Sequence, residues 1–205
     1  MEGQEDYILT EAQKLFMKFG MRSVTMDDIA KQLGISKKTI YANFRNKDEL
    51  IFQLLSQKLK CDQQKMELCT SNAENAIEEV FLMMDFLKET LSGMNPIVFL
   101  DLEKYHKEAH KLMINFHQTF VYNSVKTCLE RGIKENVFKS NINTEILAGS
   151  RVGQINWAIE SNLIRSGKYG VYDVFQEITL HFLFGVCNLS GNVVINNYQL
   201  NKNTN

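Results

Sequence analysis

Residues 25–47 read TMDDIAKQLGISKKTIYANFRNK, and their sequence of caps, apolar positions and one glycine predicts a short helix, a tight turn and a second short helix. Thr25 is an N-cap residue with Asp28 three positions on, so orphan N–H groups gain acceptors and carboxylates fall at the positive end of the helix. Ile29, Ala30 and Leu33 make the apolar side, the small Ala30 allows a close crossing, and Gly34 ends the helix. Ser36 caps the second helix, expected over 36–44. Unrolled at about 100° per residue, that helix turns Ile40 and Phe44 inward and Lys38, Thr39 and Ala42 outward, with Tyr41 and Asn43 on the flanks. A cationic donor, a hydroxyl and a methyl suit base edges, and the flanking side chains suit phosphates. On pattern alone, an ordinary helical hairpin with solvated lysines is the other reading.

Working outward, the segment 5–19 carries Ile8, Ala12, Leu15, Phe16 and Phe19 on one side, a stripe that would cover both short helices, and Gly20 is placed to stop it. A three-helix unit over 1–46 results. On the other side, Asn46 and Glu49 form a capping signature that opens a long helix from Lys47 to about Leu68. Leu50, Ile51, Leu54, Leu55 and Leu59 give its apolar side, and its length of ~30 Å lets it reach from one domain into the next.

These residues resemble the TetR (tetracycline repressor) family of bacterial transcriptional regulators. The resemblance rests on LFMKFGMRSVT at 15–25 and on Thr25, Ile29, Ala30, Gly34, Ile35, Ser36, Thr39, Ile40, Tyr41, Phe44, Lys47 and Leu50. It covers about the first quarter of the chain closely and the remainder only in helical layout. Asn43 stands where a histidine is common, and Ala42 is smaller than the usual occupant. The resemblance implies a DNA-facing set of Thr25, Ser36, Lys37, Lys38, Thr39, Tyr41, Ala42, Asn43 and Lys47. It also implies a lever role for the long helix, a pseudo-palindromic duplex operator, a homodimer and a small-molecule effector that releases the DNA.

The formal net charge is −1 over 205 residues, which is unpromising for a DNA binder until its distribution is considered. Between 22 and 60, Arg22, Lys31, Lys37, Lys38, Arg45, Lys47, Lys58 and Lys60 oppose only Asp27, Asp28, Asp48 and Glu49, and a local basic patch suffices for phosphates. One proline, at Pro96, together with long 3.6-residue periodicity, predicts an all-α chain. No leader or membrane span is visible, so a cytoplasmic protein is expected. The cysteines Cys61, Cys69, Cys128 and Cys187 show no CxxC pair and read as free thiols.

Beyond the long helix, Ser71 with Glu74 predicts the start of the next helix, and Pro96 is expected at the first position of another that breaks near Tyr105. Two helices close the bundle, one from Asn143 or Thr144 to about Ser161, the other from Tyr172 or Asp173 to about Asn188. Gly149 and Gly153 on the first, with Val174, Phe175, Ile178 and Phe182 on the second, are the expected dimer interface. Residues 47–190 thus form the effector-binding and dimerisation domain, and the asparagine-rich tail 191–205 is expected to be loosely ordered with a docked stretch near 193–195.

Met83, Phe86, Tyr105, Met113, Phe116, Phe120, Asn156 and Trp157 are the candidate lining of a pocket for an apolar or aromatic effector. Glu103, His106, His110 and His117 share one strip, and His106 with His110 has metal-ligand spacing, so a metal-responsive regulator is an alternative, as is a helical interaction module. No metal or cofactor is assigned. The absence of a glycine-rich phosphate loop, a nucleophile elbow or paired carboxylates argues against an enzyme.

Overall fold

A computed structural model describes residues 3–203, with side chains through 198. Helices account for nearly all of it: α1 (Gln4–Phe19), α2 (Met26–Leu33), α3 (Lys37–Asn43), α4 (Lys47–Asn72), α5 (Ala76–Leu91), α6 (Ile97–Tyr105), α7 (Lys107–Phe116), a π-helical turn (His117–Val121), α8 (Tyr122–Lys134), α9 (Thr144–Glu160), α10 (Asn162–Arg165), α11 (Val171–Val186) and α12 (Leu189–Asn203). Among the described residues the one β contact is an isolated bridge between Phe138 and Cys187. The all-α architecture of an N-terminal helix-turn-helix unit and a C-terminal bundle is therefore present as expected.

Helices α1 to α3 bury Ile8, Phe16, Ile29, Ile40 and Phe44 completely or nearly so. Their core does not close at residue 46: Leu50, Ile51 and Leu54 of α4, Val98 and Leu102 of α6, and Ala109 and Met113 of α7 belong to the same apolar cluster. A three-helix unit this small buries too little surface to be stable alone, and it shares its core with the bundle.

Three boundaries differ from the sequence reading. Helix α4 runs on to Asn72, and Ser71, expected to open the next helix, lies inside α4 with its Oγ donating to the Leu68 carbonyl at 3.1 Å. Asn75 instead caps α5, its side chain accepting from the N–H groups of Ile77 and Glu78. Pro96 sits one position before α6, while Asn95 Oδ1 accepts the Ile97 N–H at 3.0 Å. The tail, expected to be loose from 191, is helical through Asn203. Asn188 Oδ1 accepts the Gly191 N–H at 2.9 Å. Ile195 is fully buried against the bundle, and the Tyr198 ring stacks on Phe81 with centroids 4.2 Å apart.

The break near Tyr105 falls at His106, whose φ of −127° and ψ of 60° end α6 and start α7. His106 is buried, and its Nδ1–H donates to Asp48 Oδ1 at 2.5 Å, pinning the break to the first turn of α4.

Candidate functional site

The first candidate surface is built by caps. Thr25 Oγ1 accepts the Asp28 N–H at 3.1 Å while Asp28 Oδ2 accepts the Thr25 N–H at 2.9 Å, which fixes where α2 begins. Gly34 takes φ 66° with open space where a Cβ would point, supplying the left-handed turn that an L side chain resists. Ser36 Oγ then accepts the Thr39 N–H at 3.1 Å and starts α3. With Ile40 and Phe44 in the core, α3 turns Lys38, Tyr41 and Ala42 to solvent and leaves Thr39 and Asn43 half-buried.

Several residues of the expected DNA-facing set are engaged locally. The Thr39 and Ser36 hydroxyls lie 2.8 Å apart, and Asn43 Nδ2 donates to the Thr39 carbonyl at 2.8 Å. Lys37 pairs with Asp27. Lys47 is folded back, its Nζ donating to the Arg22 carbonyl at 3.4 Å and lying 6.0 Å from the Phe16 ring, and this burial lowers its ammonium pKa. Among the described residues, Lys38 has no ion-pair partner.

The second candidate site is a partly open, largely apolar cavity of about 290 Å³ between α4 and the bundle. Its wall is dominated by aliphatic, methionine and phenylalanine side chains, among them Leu54, Leu59, Met66, Met83, Phe86 and Leu183. Four of the candidate effector residues, Met83, Phe86, Met113 and Phe116, line it. The other four do not. Tyr105 is 47 % exposed on the outer side of α6, with the Arg22 guanidinium 5.2 Å from its ring. Phe120 stacks on Phe116 at 5.2 Å behind the wall. Asn156 Oδ1 accepts from His117 Nδ1–H at 2.8 Å, and Trp157, one residue on, is 52 % exposed on the outer stripe of α9. One residue of helix rotates by about 100°, and that step decides between cavity and surface.

The polar groups of the wall were not legible from sequence. Glu79 accepts from Arg131 at 3.2 Å and Thr70 at 3.0 Å, and burial raises its carboxyl pKa despite the neighbouring arginine. Arg151 is 6 % exposed, and its guanidinium donates to Thr179 and Gln154. Burial holds the His117 imidazole below its ordinary range.

The expected dimer residues divide in the same way. Val174 and Phe175 face inward, 7 % and 6 % exposed, and Phe175 and Phe182 line the cavity, while Ile178 is half-buried against the core. Val174 and Phe175 are thus taken up by the core of the single chain. Gly149 and Gly153 are exposed, and they lie on one stripe of α9 with Ile146 and Trp157; Phe184 of α11 is exposed as well. The histidine strip is broken up by the turn at His106: His106 faces Asp48, His117 faces Asn156, and Glu103 pairs with Arg165 at 2.5 Å. Among the described residues no three His, Cys, Asp or Glu converge as metal ligands.

Helix α6 joins the two sites. Val98, Phe99 and Leu102 on one side touch the cavity. On the other, Asp101, 4 % exposed, accepts the Arg22 backbone N–H at 2.8 Å, and the Asn95 N–H donates to the Met17 carbonyl at 3.1 Å. Gly20 makes that approach possible, with φ 84° and no Cβ to strike Ile97 Cγ2, which would lie 2.7 Å away. Sequence reading gave the lever role to α4 alone. The signal for α6 was the isolated carboxylate Asp101 in the apolar run IVFLDL.

Residues 8–54 match the family described as bacterial regulatory proteins, tetR family. The chain is similar to the uncharacterized HTH-type transcriptional regulator YhgD of Bacillus subtilis, 30 % identical over 64 % of this chain and 70 % of that one. It is also similar to the uncharacterized HTH-type transcriptional regulator YvaF of the same organism, 26 % identical over 83 % and 89 %. Among solved structures, the Bacillus subtilis transcriptional regulator FadR in complex with stearoyl-CoA shares the fold, with a TM-score of 0.67 and 19 % identity over 89 % of this chain and all of that one. No described helix is long and apolar enough to cross a membrane.

Proposed function

The chain belongs to the tetR family of bacterial regulatory proteins, and from that premise we propose that it is a cytoplasmic homodimer releasing its operator when a largely apolar small molecule fills the cavity. In this reading it carries no catalysis. The observation that supports it most is α6, a nine-residue helix with the cavity on one side and the Arg22 N–H of the DNA-binding unit on the other. An occupant that displaces Val98 and Leu102 must also move Asp101, because packed helices shift as bodies. Moving the loop that carries Arg22 reorients α2 and α3 relative to the bundle. In a two-fold dimer this changes the separation of the two recognition helices, which must match half-sites about one helical turn apart. The coupling expected of such a device is about 1–3 kcal/mol.

Base contacts are assigned to Lys38 and Ala42 with Thr39, and phosphate contacts to Tyr41 and, once swung free of Arg22, to Lys47. The dimer surface is assigned to the exposed stripe of Ile146, Gly149, Gly153 and Trp157 with Phe184, where the two glycines let a partner helix approach closely. A titration of labelled duplex from the gene's own upstream region tests the reading. Saturable binding that is weakened by a cavity ligand is expected, and no preference for that duplex over unrelated DNA would reject it.

A further inference from the structure

The cavity wall contains four side chains of the lysine, arginine, aspartate and glutamate kinds, and three of them are answered by a partner of opposite sign. Lys58 pairs with Asp62, and Glu79 with Arg131. Arg151 is the exception. Arg151 is only 6 % exposed, and no described carboxylate lies within ion-pair distance of its guanidinium. Its neighbours are the Thr179 hydroxyl, the Gln154 carbonyl oxygen at 3.3 Å and the face of Phe182 at 5.5 Å. Burial alone pulls its pKa down to about 10, with no charge pulling it back. At neutral pH it is therefore a cation in an apolar chamber, and a buried charge without a counter-ion is among the costliest arrangements in a protein. Leucine or methionine would fill this place on α9 without that cost.

We propose that Arg151 is the counter-ion for the cavity's ligand, which is an amphipathic monocarboxylate with its head on Arg151 and its hydrocarbon part along the apolar wall. The inference rests on the effector reading above and names the chemistry of that effector. The guanidinium fork matches the two oxygens of a carboxylate and can hold them in a planar, bidentate pair. A dianionic phosphate fits poorly, since one cation would leave its second charge unanswered in an apolar space. The remaining wall suits an extended chain: residues of α4 from Leu54 to Thr70 line the cavity, a length of ~24 Å along that helix. Flexible Met66, Met83 and Met84 along it can adapt to chains of different length. Because Arg151 also bonds Thr179, a bound head group ties α9 to α11.

Calorimetric titration of the full-length protein with dodecanoate and with dodecan-1-ol tests this, alongside the melting midpoints of wild type, Arg151→Met and Arg151→Lys. The wild type is expected to prefer the acid over the alcohol at least about 10-fold. Arg151→Met should weaken the acid roughly 10- to 100-fold, the loss of a hydrogen-bonded charge, and leave the alcohol unchanged. Arg151→Lys should fall between. The ligand-free Arg151→Met protein should melt at or above the wild-type temperature, since it sheds an uncompensated charge. Equal binding of acid and alcohol by the wild type, or unchanged acid binding by Arg151→Met, would overturn the assignment while leaving the cavity as the effector site. A ligand-free Arg151→Met that melts well below wild type would make Arg151 a structural tie and also overturn it. Failure of both amphiphiles to bind would remove the effector reading and this inference together.

Discussion

Asp101→Asn is the perturbation that separates a joint between the two sites from a merely stable contact. The change keeps size and shape but replaces the carboxylate that accepts the Arg22 N–H at 2.8 Å in a place only 4 % exposed. Hydrogen bonds to an ionised acceptor contribute about 1.5–3 kcal/mol and neutral ones about 1 kcal/mol, so the variant should lose about 1 kcal/mol or somewhat more. For a chain of this size that lowers the melting midpoint by about 2–4 °C. The same ~1 kcal/mol is a large share of a coupling of about 1–3 kcal/mol, so the factor by which dodecanoate weakens DNA binding should fall by about 5-fold. Dodecanoate affinity in the absence of DNA should stay as in wild type, because Asp101 lies on the side of α6 away from the cavity. Fluorescence anisotropy of the upstream duplex with and without saturating dodecanoate, together with calorimetry, gives all three quantities. A variant that melts lower yet keeps the full wild-type coupling would refute the role given to α6.

Further expectations come from single residues. Lys38→Ala should relax preference at particular operator positions at a cost of about 1–3 kcal/mol, whereas Tyr41→Phe should weaken all duplexes alike, as a panel of single-base operator variants would show. Trp157→Arg with Phe184→Arg should give monomers by sedimentation, and a dimer that survives both would move the interface elsewhere. Gly132→Ala should destabilise the bundle by about 1–3 kcal/mol in urea, since its Cβ would fall 2.0 Å from the Phe138 ring. The His117 pKa is depressed by burial in the fold, so the unfolded chain takes up its proton first as pH falls. Its contribution to stability is present above the ordinary imidazole range and is lost as pH drops through the lower folded value. Urea midpoints at pH 7.5 and 5.5 should therefore differ more for wild type than for His117→Gln.

What was legible in the sequence was local chemistry. The Thr25 with Asp28 box, Gly34, Ser36 and Asn46 each fix one helix end through a contact within four residues, and the structure has all four. Which apolar residues face the cavity and which face outward was less legible, because α9 and α11 are apolar on more than one side. Val174 and Phe175 go inward, and Trp157 goes outward beside Gly153. Only the packing of neighbouring helices sets that rotation. Arg151 escaped notice because its significance lies in the absence of a carboxylate across a tertiary gap, which no spacing in the chain records. The α12 tail was hidden by its asparagines, although Gly191, Val194, Ile195 and Tyr198 recur at helical spacing and turn toward the bundle.

The central claim is that filling the cavity releases DNA, and the dissociation constant of the protein for its upstream duplex, measured with and without saturating dodecanoate at one fixed salt concentration, tests it most directly. The account predicts a rise of about 5- to 150-fold, with DNA weakening dodecanoate binding by the same factor. An unchanged dissociation constant, in protein whose cavity calorimetry shows to be filled, would contradict it.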